Sequence, residues 1–216
     1  MKDCRIIALT SQKGGSGKTT VAMQLAAGLA RRGLRVSVAD LDPQESASRW
    51  SESAGPDTPF PATVVRPQCA AGDLKRELKP QAKASDVLIL DCPPSIEHPF
   101  TGAALDLARL AIVPVVPSPT DLWSTRAIER LILARQGALS GALLPNRVTR
   151  TALCDDVLEV LQDFELPVLD AALSQRSAYA LSAVRGSSVF ALGRSALAAR
   201  EEVERLVTAI LTQLEK

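Results

Sequence analysis

The sequence predicts an α/β fold in which a doubly wound, mostly parallel sheet is flanked by helices. Apolar runs of strand length alternate with longer segments of helical period along most of the 216 residues. Hydrophobic residues make up 46% of the chain but aromatic residues only 3%, so we expect a core of aliphatic side chains. The length suits one well-packed domain. We therefore expect a single domain over residues 1–216, with no N-terminal helix-turn-helix domain.

Each predicted strand is a short apolar run, and the strands are predicted at 5–10, 35–40, 62–66, 86–91, 110–116 and 142–145. The segments between them repeat apolar residues every three or four positions. Helices are accordingly predicted at 18–32, 44–53, 72–83, 102–108, 122–135, 152–164 and 195–214. Gly33 stands where the C-terminal cap of the first helix is expected. In such a sheet the carboxyl ends of the parallel strands meet at one edge, which is where ligands bind.

A glycine-rich segment follows the first predicted strand and opens the first helix. It reads Gln12-Lys13-Gly14-Gly15-Ser16-Gly17-Lys18-Thr19-Thr20. Glycines allow successive backbone N–H groups to face an anion, and the helix that follows contributes its positive end. A strand, a glycine-rich turn, Gly-Lys-Thr and a helix together indicate a P-loop that binds a nucleoside triphosphate. We expect Lys18 to contact the phosphates and the Thr19 hydroxyl to bind Mg²⁺.

The loop departs from the general P-loop pattern at two positions. Gln12 occupies the place of the first glycine, and Lys13 adds a second cation. A lysine at the end of a strand can be an ordinary surface residue. Two lysines in one small loop repel each other, however, unless an anion lies between them. This favours a phosphate-related role for Lys13.

Aspartates end two of the predicted strands. Asp40 and Asp42 fall on the same side by strand alternation, and Pro43 then ends the strand. Asp91 ends another strand and precedes Cys-Pro-Pro-Ser. Aspartate near proline is also common in turns. Carboxylates at the ends of strands beside a P-loop are the groups that hold Mg²⁺ and its waters, so we expect the three aspartates at the nucleotide site.

Taken together, these motifs resemble the deviant Walker A ATPases of the ParA/MinD family, which are P-loop NTPases of the SIMIBI type. The resemblance covers Lys-Gly-Gly-x-Gly-Lys-Thr, Asp-x-Asp-Pro-Gln and Asp-x-Pro-Pro-Ser, in that order. It continues through residues 114–121 and Asn146-Arg147, and so extends from about residue 6 to about residue 147.

The resemblance implies that the ligands are ATP and Mg²⁺. The residues implied to wrap the phosphates are Gly14, Gly15, Ser16, Gly17, Lys18, Thr19 and Thr20. It also implies that Asn146 reads the adenine and that the backbone near Pro117 helps to wall the base. Thr19 would be the direct Mg²⁺ ligand.

Further roles implied by the resemblance concern hydrolysis. Asp91 would hold Mg²⁺ through water, Asp42 would position the attacking water or a Mg²⁺-bound water, and Asp40 would support Asp42. Lys13 would cross a dimer interface and act on the partner's nucleotide in place of an arginine finger. Because that cation arrives only when two copies meet, we expect an ATP-bound homodimer and slow hydrolysis in the monomer.

Charge is unevenly distributed although the formal net charge is only +1. Residues 155–170 hold six acids and no basic residue, whereas residues 171–200 hold four arginines and no acid. Those arginines are Arg176, Arg185, Arg194 and Arg200. An ordinary solvated face would have the same composition. Their position matches the DNA patch of partitioning members of the family, so we expect this set of arginines to provide a DNA-binding surface without sequence preference, and which of the four contact DNA stays open.

The last predicted helix carries an apolar stripe that suits either a core helix or a membrane anchor. Residues 199–216 contain four glutamates and no aromatic residue, which favours core packing, so no membrane partner is expected. No signal peptide or long apolar run is evident, and the four cysteines are scattered. These features favour a reducing cytosol, and with the expected DNA binding they predict a cytoplasmic, nucleoid-associated bacterial protein.

We therefore expect an ATPase similar to the small ParF-like partitioning proteins. Such a protein would position or segregate a plasmid, a chromosome region or a carboxysome through a ParB-like cargo adaptor that stimulates hydrolysis. Two other functions remain open: a MinD-like membrane-associated regulator, and an ATP-dependent biosynthetic ligase of the dethiobiotin synthetase type. No small-molecule pocket for the ligase is identifiable in the sequence.

Overall fold

The computed structural model describes residues 4–135 and 137–215. Within them the sheet has seven strands in the order β3–β2–β4–β1–β5–β6–β7, and all neighbouring strands pair in parallel. The strands are β1 (Arg5–Leu9), β2 (Val36–Asp40), β3 (Thr63–Val65), β4 (Val87–Asp91), β5 (Leu110–Val115), β6 (Ser140–Val148) and β7 (Leu173–Ser174). The predicted fold class is confirmed.

Helices cover both faces of this sheet. In chain order they are α1 (Lys18–Arg31), α2 (Ser46–Glu52), α3 (Leu74–Glu77), α4 (Lys79–Ala84), α5 (Pro99–Leu107), α6 (Pro119–Leu133), α7 (Ala152–Val160), α8 (Ser177–Val184) and α9 (Leu197–Leu214). Helices α1, α2, α8 and α9 contribute to the apolar core on one face. Helices α3 to α6 contribute to the core on the other face, and α7 packs beside them. Both faces of the central strands are therefore buried, as parallel sheets require.

The terminal helix α9 packs against α1. Val203, Leu206, Val207 and Ile210 are fully buried there. The contact is so close that a Cβ atom at Gly28 of α1 would lie 2.5 Å from Val207. The expectation that the apolar stripe of this helix belongs to the core is confirmed. Among the described helices, none is long and apolar enough to cross a membrane.

Several elements differ from the sequence prediction. The helix predicted at 72–83 is broken into a 3₁₀ turn (Ala71–Asp73), α3 and α4, because Pro80 lacks the N–H that a continuous helix would need. The helix predicted at 152–164 ends its α-helical part at Val160. Neither β7 nor α8 is predicted from the sequence. Strand β7 is only two residues long, and the exposed face of α8 is about as apolar as its buried face, which hides the helical period.

Strand register brings the predicted site residues together. Asp40 of β2 is in register with Asp91 of β4, and Asp91 is in register with Leu9 of β1. The phosphate loop starts directly after β1. On the other side of β1, Val115 of β5 is in register with Pro145 of β6. Residues that follow these strands therefore lie along one edge of the sheet.

Candidate nucleotide-binding site

The glycine-rich loop connects β1 to α1 and depends on glycine at two positions. Gly15 and Gly17 have φ angles of +81° and +86°, a region that residues with a side chain rarely adopt. Space is also limiting at Gly17, where a Cβ atom would lie 2.4 Å from Nδ2 of Asn146. The loop thus brings its backbone against the end of β6 and opens α1 with free N–H groups.

Lys18 is buried at the start of α1. Its Nζ donates to Oγ of Ser11 at 2.9 Å, and Oγ of Ser16 also donates to Ser11 at 2.8 Å. Burial lowers the pKa of Lys18, whereas the carboxylates of Asp91 and Asp42 act to raise it. An ammonium group has three donors. Lys18 therefore has donors left for a phosphate group beside the loop.

Asp91 has one oxygen in use and one without a partner. Oγ1 of Thr19 donates to Oδ2 at 2.7 Å, while the buried Oδ1 has no hydrogen-bond partner within the described chain. Burial raises the pKa of Asp91 to about 7, although the hydrogen bond from Thr19 opposes that shift. A buried carboxylate oxygen without a partner needs an explanation, and a cation or its bound water would satisfy it.

The residues present fit Mg²⁺. The Thr19 hydroxyl can donate to Asp91 while its oxygen lone pair ligates a cation, because a hydroxyl both donates and accepts. Across the described residues, no group of three or more His, Cys, Asp or Glu side chains could hold a metal ion. This suits Mg²⁺, which binds through one or two protein oxygens together with substrate phosphates and water.

Asp40 organises the turn that carries Asp42. Its Oδ2 accepts hydrogen bonds from the backbone N and the Oγ of Ser48, both at 2.8 Å, and its Oδ1 accepts from N of Asp42 at 3.3 Å. The carboxylate of Asp42 accepts from N of Gln44 at 2.9 Å and is only partly buried. Asp40 is therefore placed as a support for Asp42, whose role toward water remains a prediction.

The side chain of Lys13 contacts the start of α6. Its Nζ donates to Oγ1 of Thr120 at 2.9 Å and lies 3.6 Å from Oδ2 of Asp121. The side chain remains 46% exposed. In this single copy the second lysine is held by α6 at the rim of the site, and its action on a partner's nucleotide remains a prediction.

Three further contacts surround the loop. Oε1 of Gln12 accepts from N of Ile96 at 3.0 Å, which links the loop to the segment after Asp91. Nδ2 of Asn146 donates to O of Ser16 at 2.6 Å, and Nη1 of Arg147 donates to O of Gly15 at 3.1 Å. Gln12 and Arg147 both belong to motifs that the sequence shows. Their hydrogen-bond partners, however, lie far away in the chain and could not be inferred from spacing.

The base-binding roles of Asn146 and Pro117 remain predictions. Pro117 follows β5 at the same sheet edge as Asn146, as a base wall would require. Asn146, however, is only 4% exposed and uses its amide on the loop backbone.

Comparison with protein families then decides the classification. Residues 7–189 match the model of the CobQ/CobB/MinD/ParA nucleotide-binding domain. The chain belongs to this family.

Three relatives show the range of the family. The chain is 31% identical, over 95% of both proteins, to the maintenance of carboxysome distribution protein A of Halothiobacillus neapolitanus. A plasmid partition protein of Borrelia burgdorferi bound to AMPPNP superposes with a TM-score of 0.77 at 18% identity, covering 97% of this chain and 99% of that one. Cobyrinic acid a,c-diamide synthase of Mycobacterium smegmatis, with a bound ATP analogue and magnesium, gives 0.72 at 26% identity over 94% of both chains.

The arginines predicted to bind DNA in this family member fall into two pairs. Nε and Nη2 of Arg176 donate to Oε1 of the buried Glu202 at 2.9 and 2.7 Å. Arg200 donates to the carbonyls of Val189 and Gly193 at 3.0 and 3.4 Å. Arg176 and Arg200 therefore hold parts of the fold together, and a contact of either with DNA remains a prediction. Their partners lie on other elements, so composition could not show that they are occupied.

Arg185 and Arg194 form the other pair. Both side chains are exposed, and neither guanidinium has an ion pair or hydrogen bond within the described residues. They remain candidates for a phosphate contact.

Proposed function

We propose that this chain is an ATPase that dimerises when ATP is bound, binds DNA without sequence preference and positions a cargo through an adaptor protein. The observation that carries the proposal is the position of Lys13. It is a second lysine in a phosphate loop, and its exposed side chain contacts Thr120 and Asp121 at the start of α6. These contacts support a role for this cation toward a nucleotide in another copy.

Within one copy, the loop N–H groups and Lys18 would bind the triphosphate. Thr19 and Asp91 would hold Mg²⁺, which neutralises charge on the phosphates when it is bound. Asp42 would orient the attacking water from a turn that Asp40 keeps fixed. Together these groups would bind and position the reactants within one copy.

The second copy would supply a further cation. Lys13 would leave Thr120 and Asp121 and reach the partner's phosphates, as arginine fingers do in trans. Trp123 lies one turn from these residues on α6 and is 72% exposed. Large exposed aromatic residues are typical anchors of protein interfaces. An exposed Trp123 on the helix whose start contacts Lys13 supports a dimer that includes this helix.

DNA binding would depend on the same dimer. Arg185 and Arg194 are exposed and free to contact phosphates, in a stretch of chain that has no acid. Two copies double the number of such contacts, and phosphate contacts weaken steeply with salt. The buried position of α9 removes its apolar stripe from any membrane role. These features support DNA over a lipid surface.

The cargo is suggested by the relative with 31% identity, whose name refers to carboxysome distribution. Its match over nearly the whole length of both proteins supports a related task of positioning a large intracellular body. A plasmid or a chromosome region would be handled by the same chemistry. The ParB-like adaptor would be the partner that stimulates hydrolysis.

Co-sedimentation tests this proposal. The protein with Mg-ATP or Mg-ADP is mixed with random-sequence DNA or with anionic liposomes. We expect binding to DNA only, and only with ATP. Arg185→Glu/Arg194→Glu should abolish it, whereas Lys79→Glu/Lys83→Glu, an equal charge change on the opposite face of the sheet, should not. Binding to liposomes instead of DNA would contradict the proposal.

One observation favours a second candidate, an ATP-dependent ligase. The synthase from Mycobacterium smegmatis matches at 26% identity over 94% of both chains. A ligase would turn over ATP only when a small carboxylate substrate is present, and it would bind neither DNA nor liposomes. The samples prepared for co-sedimentation also distinguish the two functions. Phosphate release is measured in them with and without small carboxylates, and a dependence on the carboxylate would indicate the ligase.

A further inference from the structure

Two consecutive residues at the end of β6 hold two consecutive carbonyl groups of the phosphate loop. Asn146 donates to O of Ser16 at 2.6 Å, and Arg147 donates to O of Gly15 at 3.1 Å. Arg147 is itself fixed, because its Nε donates to Oε1 of Gln175 at 2.8 Å. We propose that Asn146 and Arg147 are positioning residues that clamp the loop with its N–H groups facing the triphosphate. The inference rests on the nucleotide binding of the proposed function.

The clamp acts through the planarity of the peptide bond. In each peptide unit the C=O and the next N–H point in opposite directions. Pulling the carbonyls of Gly15 and Ser16 toward β6 therefore turns the N–H groups of Ser16 and Gly17 the other way. An array of N–H groups fixed in one direction is an anion-binding site, and holding it in advance lowers the entropy lost on binding.

The backbone at Arg147 is strained in the way this contact requires. Successive side chains of a regular strand point to opposite faces, so Asn146 and Arg147 could not both reach the same loop. Arg147 has φ +56°, in the left-handed region, and the register between β6 and β7 shifts at this point. A non-glycine residue costs about 1–2 kcal/mol there. The strain removes the alternation and turns both side chains toward the loop.

Two further observations agree with close contact between β6 and the loop. A Cβ atom on Gly17 would lie 2.4 Å from Nδ2 of Asn146, so the glycine leaves just enough space for the amide. Asn146 is also nearly fully buried. Its amide Nδ2 thus serves the loop backbone, whereas the role toward adenine that the family resemblance implies remains a prediction.

Tripolyphosphate separates the two roles of Asn146, because it carries no base. Calorimetry would compare binding of Mg-ATP and Mg-tripolyphosphate by the wild type and by Asn146→Ala. We expect the variant to bind both ligands about tenfold more weakly, as the loss of one well-placed hydrogen bond predicts. Weaker binding of ATP alone would assign Asn146 to the base and overturn the clamp.

Arg147 is tested by a pair of variants. Arg147→Gly adopts the left-handed backbone without strain, so its melting temperature without ligand should equal or exceed that of the wild type. It should nevertheless bind both ligands about tenfold more weakly. Arg147→Lys keeps the charge but loses the planar fork that contacts both Gly15 and Gln175, and should also bind more weakly.

The outcomes are distinguishable. Wild-type affinity in Arg147→Gly would overturn the role of Arg147, and wild-type affinity in Arg147→Lys would show that its charge alone acts. If the wild type bound neither Mg-ATP nor Mg-tripolyphosphate, the proposed function itself would fail. If it bound both and the variants did not differ from it, only the clamp would fail.

Discussion

The phosphate loop and the arginine-rich segment 171–200 show different relations between sequence pattern and structure. In the loop, Lys18 and Thr19 lie where the motif predicts, because glycines and the helix that follows fix their geometry locally. In the arginine-rich segment the prediction used only the number of arginines and acids, with no motif that fixes their positions. Arg176 and Arg200 donate to groups of other elements, whereas the side chains of Arg185 and Arg194 are exposed and have no ion pair or hydrogen bond within residues 4–135 and 137–215. A local motif thus predicts where a charged side chain lies and what it contacts. A count of charged residues in a segment predicts neither.

The largest expected effect concerns Lys13→Ala. The variant should bind Mg-ATP as the wild type does, because the side chain of Lys13 contacts Thr120 and Asp121 of α6, and its backbone carbonyl, which accepts from Ser11, is unchanged in alanine. ATP-driven dimerisation and hydrolysis should be lost, with a fall in turnover of about 10³-fold or more, as for an arginine finger. Nucleotide binding, sedimentation equilibrium and phosphate release measure the three properties.

A control variant separates this role from a general loss of charge at the site. Lys18→Ala should lose nucleotide binding itself, because Lys18 belongs to the phosphate cradle. Mixing Lys13→Ala with Lys18→Ala should restore part of the turnover in mixed dimers, because the Lys18→Ala copy still carries Lys13 and can act on the nucleotide of its partner. Normal hydrolysis by Lys13→Ala alone would remove the trans role and with it the proposed dimer mechanism.

The second prediction concerns the hydrogen bonds that Arg176 and its neighbours donate to Glu202. Glu202 accepts from Arg176, from Oγ of Ser174 at 2.6 Å and from the hydroxyl of Tyr179 at 2.7 Å. Glu202→Gln should destabilise the fold by about 2–3 kcal/mol, less than a fully buried pair because Arg176 is partly exposed. Urea unfolding measures this loss. Glu201→Gln, an exposed neighbour, should have little effect and serves as the control.

The same network predicts a dependence of stability on pH. Burial raises the pKa of Glu202, but hydrogen bonds from Arg176, Ser174 and Tyr179 outweigh burial and lower it below the ordinary value of 4.5. A carboxylate with a lowered folded-state pKa stabilises the fold above that ordinary value, and this stability is lost as the pH falls through the folded-state pKa. Between about pH 6 and about pH 3, the free energy of unfolding should therefore fall less for Glu202→Gln than for the wild type.

These contacts show how far the sequence could predict the molecule. The parallel sheet flanked by helices and the residues around Asp40, Asp91 and Lys18 follow from short-range patterns of period and spacing. The break at Pro80 could also have been predicted. The contact of Arg147 with Gly15 spans 132 positions and depends on one left-handed residue, which no periodicity reveals. Long-range polar pairs are set by tertiary packing, which the sequence pattern does not encode.

A smaller effect is expected when the free arginines are removed one at a time. Arg185→Ala should leave the stability of the fold within about 0.5 kcal/mol, because its side chain is exposed and unpaired. The dependence of log affinity for DNA on log salt should become shallower by about 2 in the dimer, or about one phosphate contact per copy. Arg176→Ala should show the reverse: a less stable fold and, once corrected for unfolded protein, an unchanged salt slope. Equal slopes for both variants would contradict the division of the arginines into two pairs.

The smallest expected effect concerns the release of Lys13 from α6. Thr120→Val removes the hydroxyl that accepts from Lys13 and keeps the shape of the side chain, while Asp121 remains 3.6 Å from the amine. Exposed pairs of this kind are worth about 0.2–1 kcal/mol. ATP-dependent dimerisation, measured by sedimentation, should therefore be about two- to fivefold tighter, because less energy holds Lys13 within its own copy. Thr120→Ser keeps the hydroxyl and should match the wild type. Weaker dimerisation of Thr120→Val would instead indicate that Thr120 contacts the partner directly in the interface. In that case the hydrogen bond between Lys13 and Thr120 would not have to break before dimerisation.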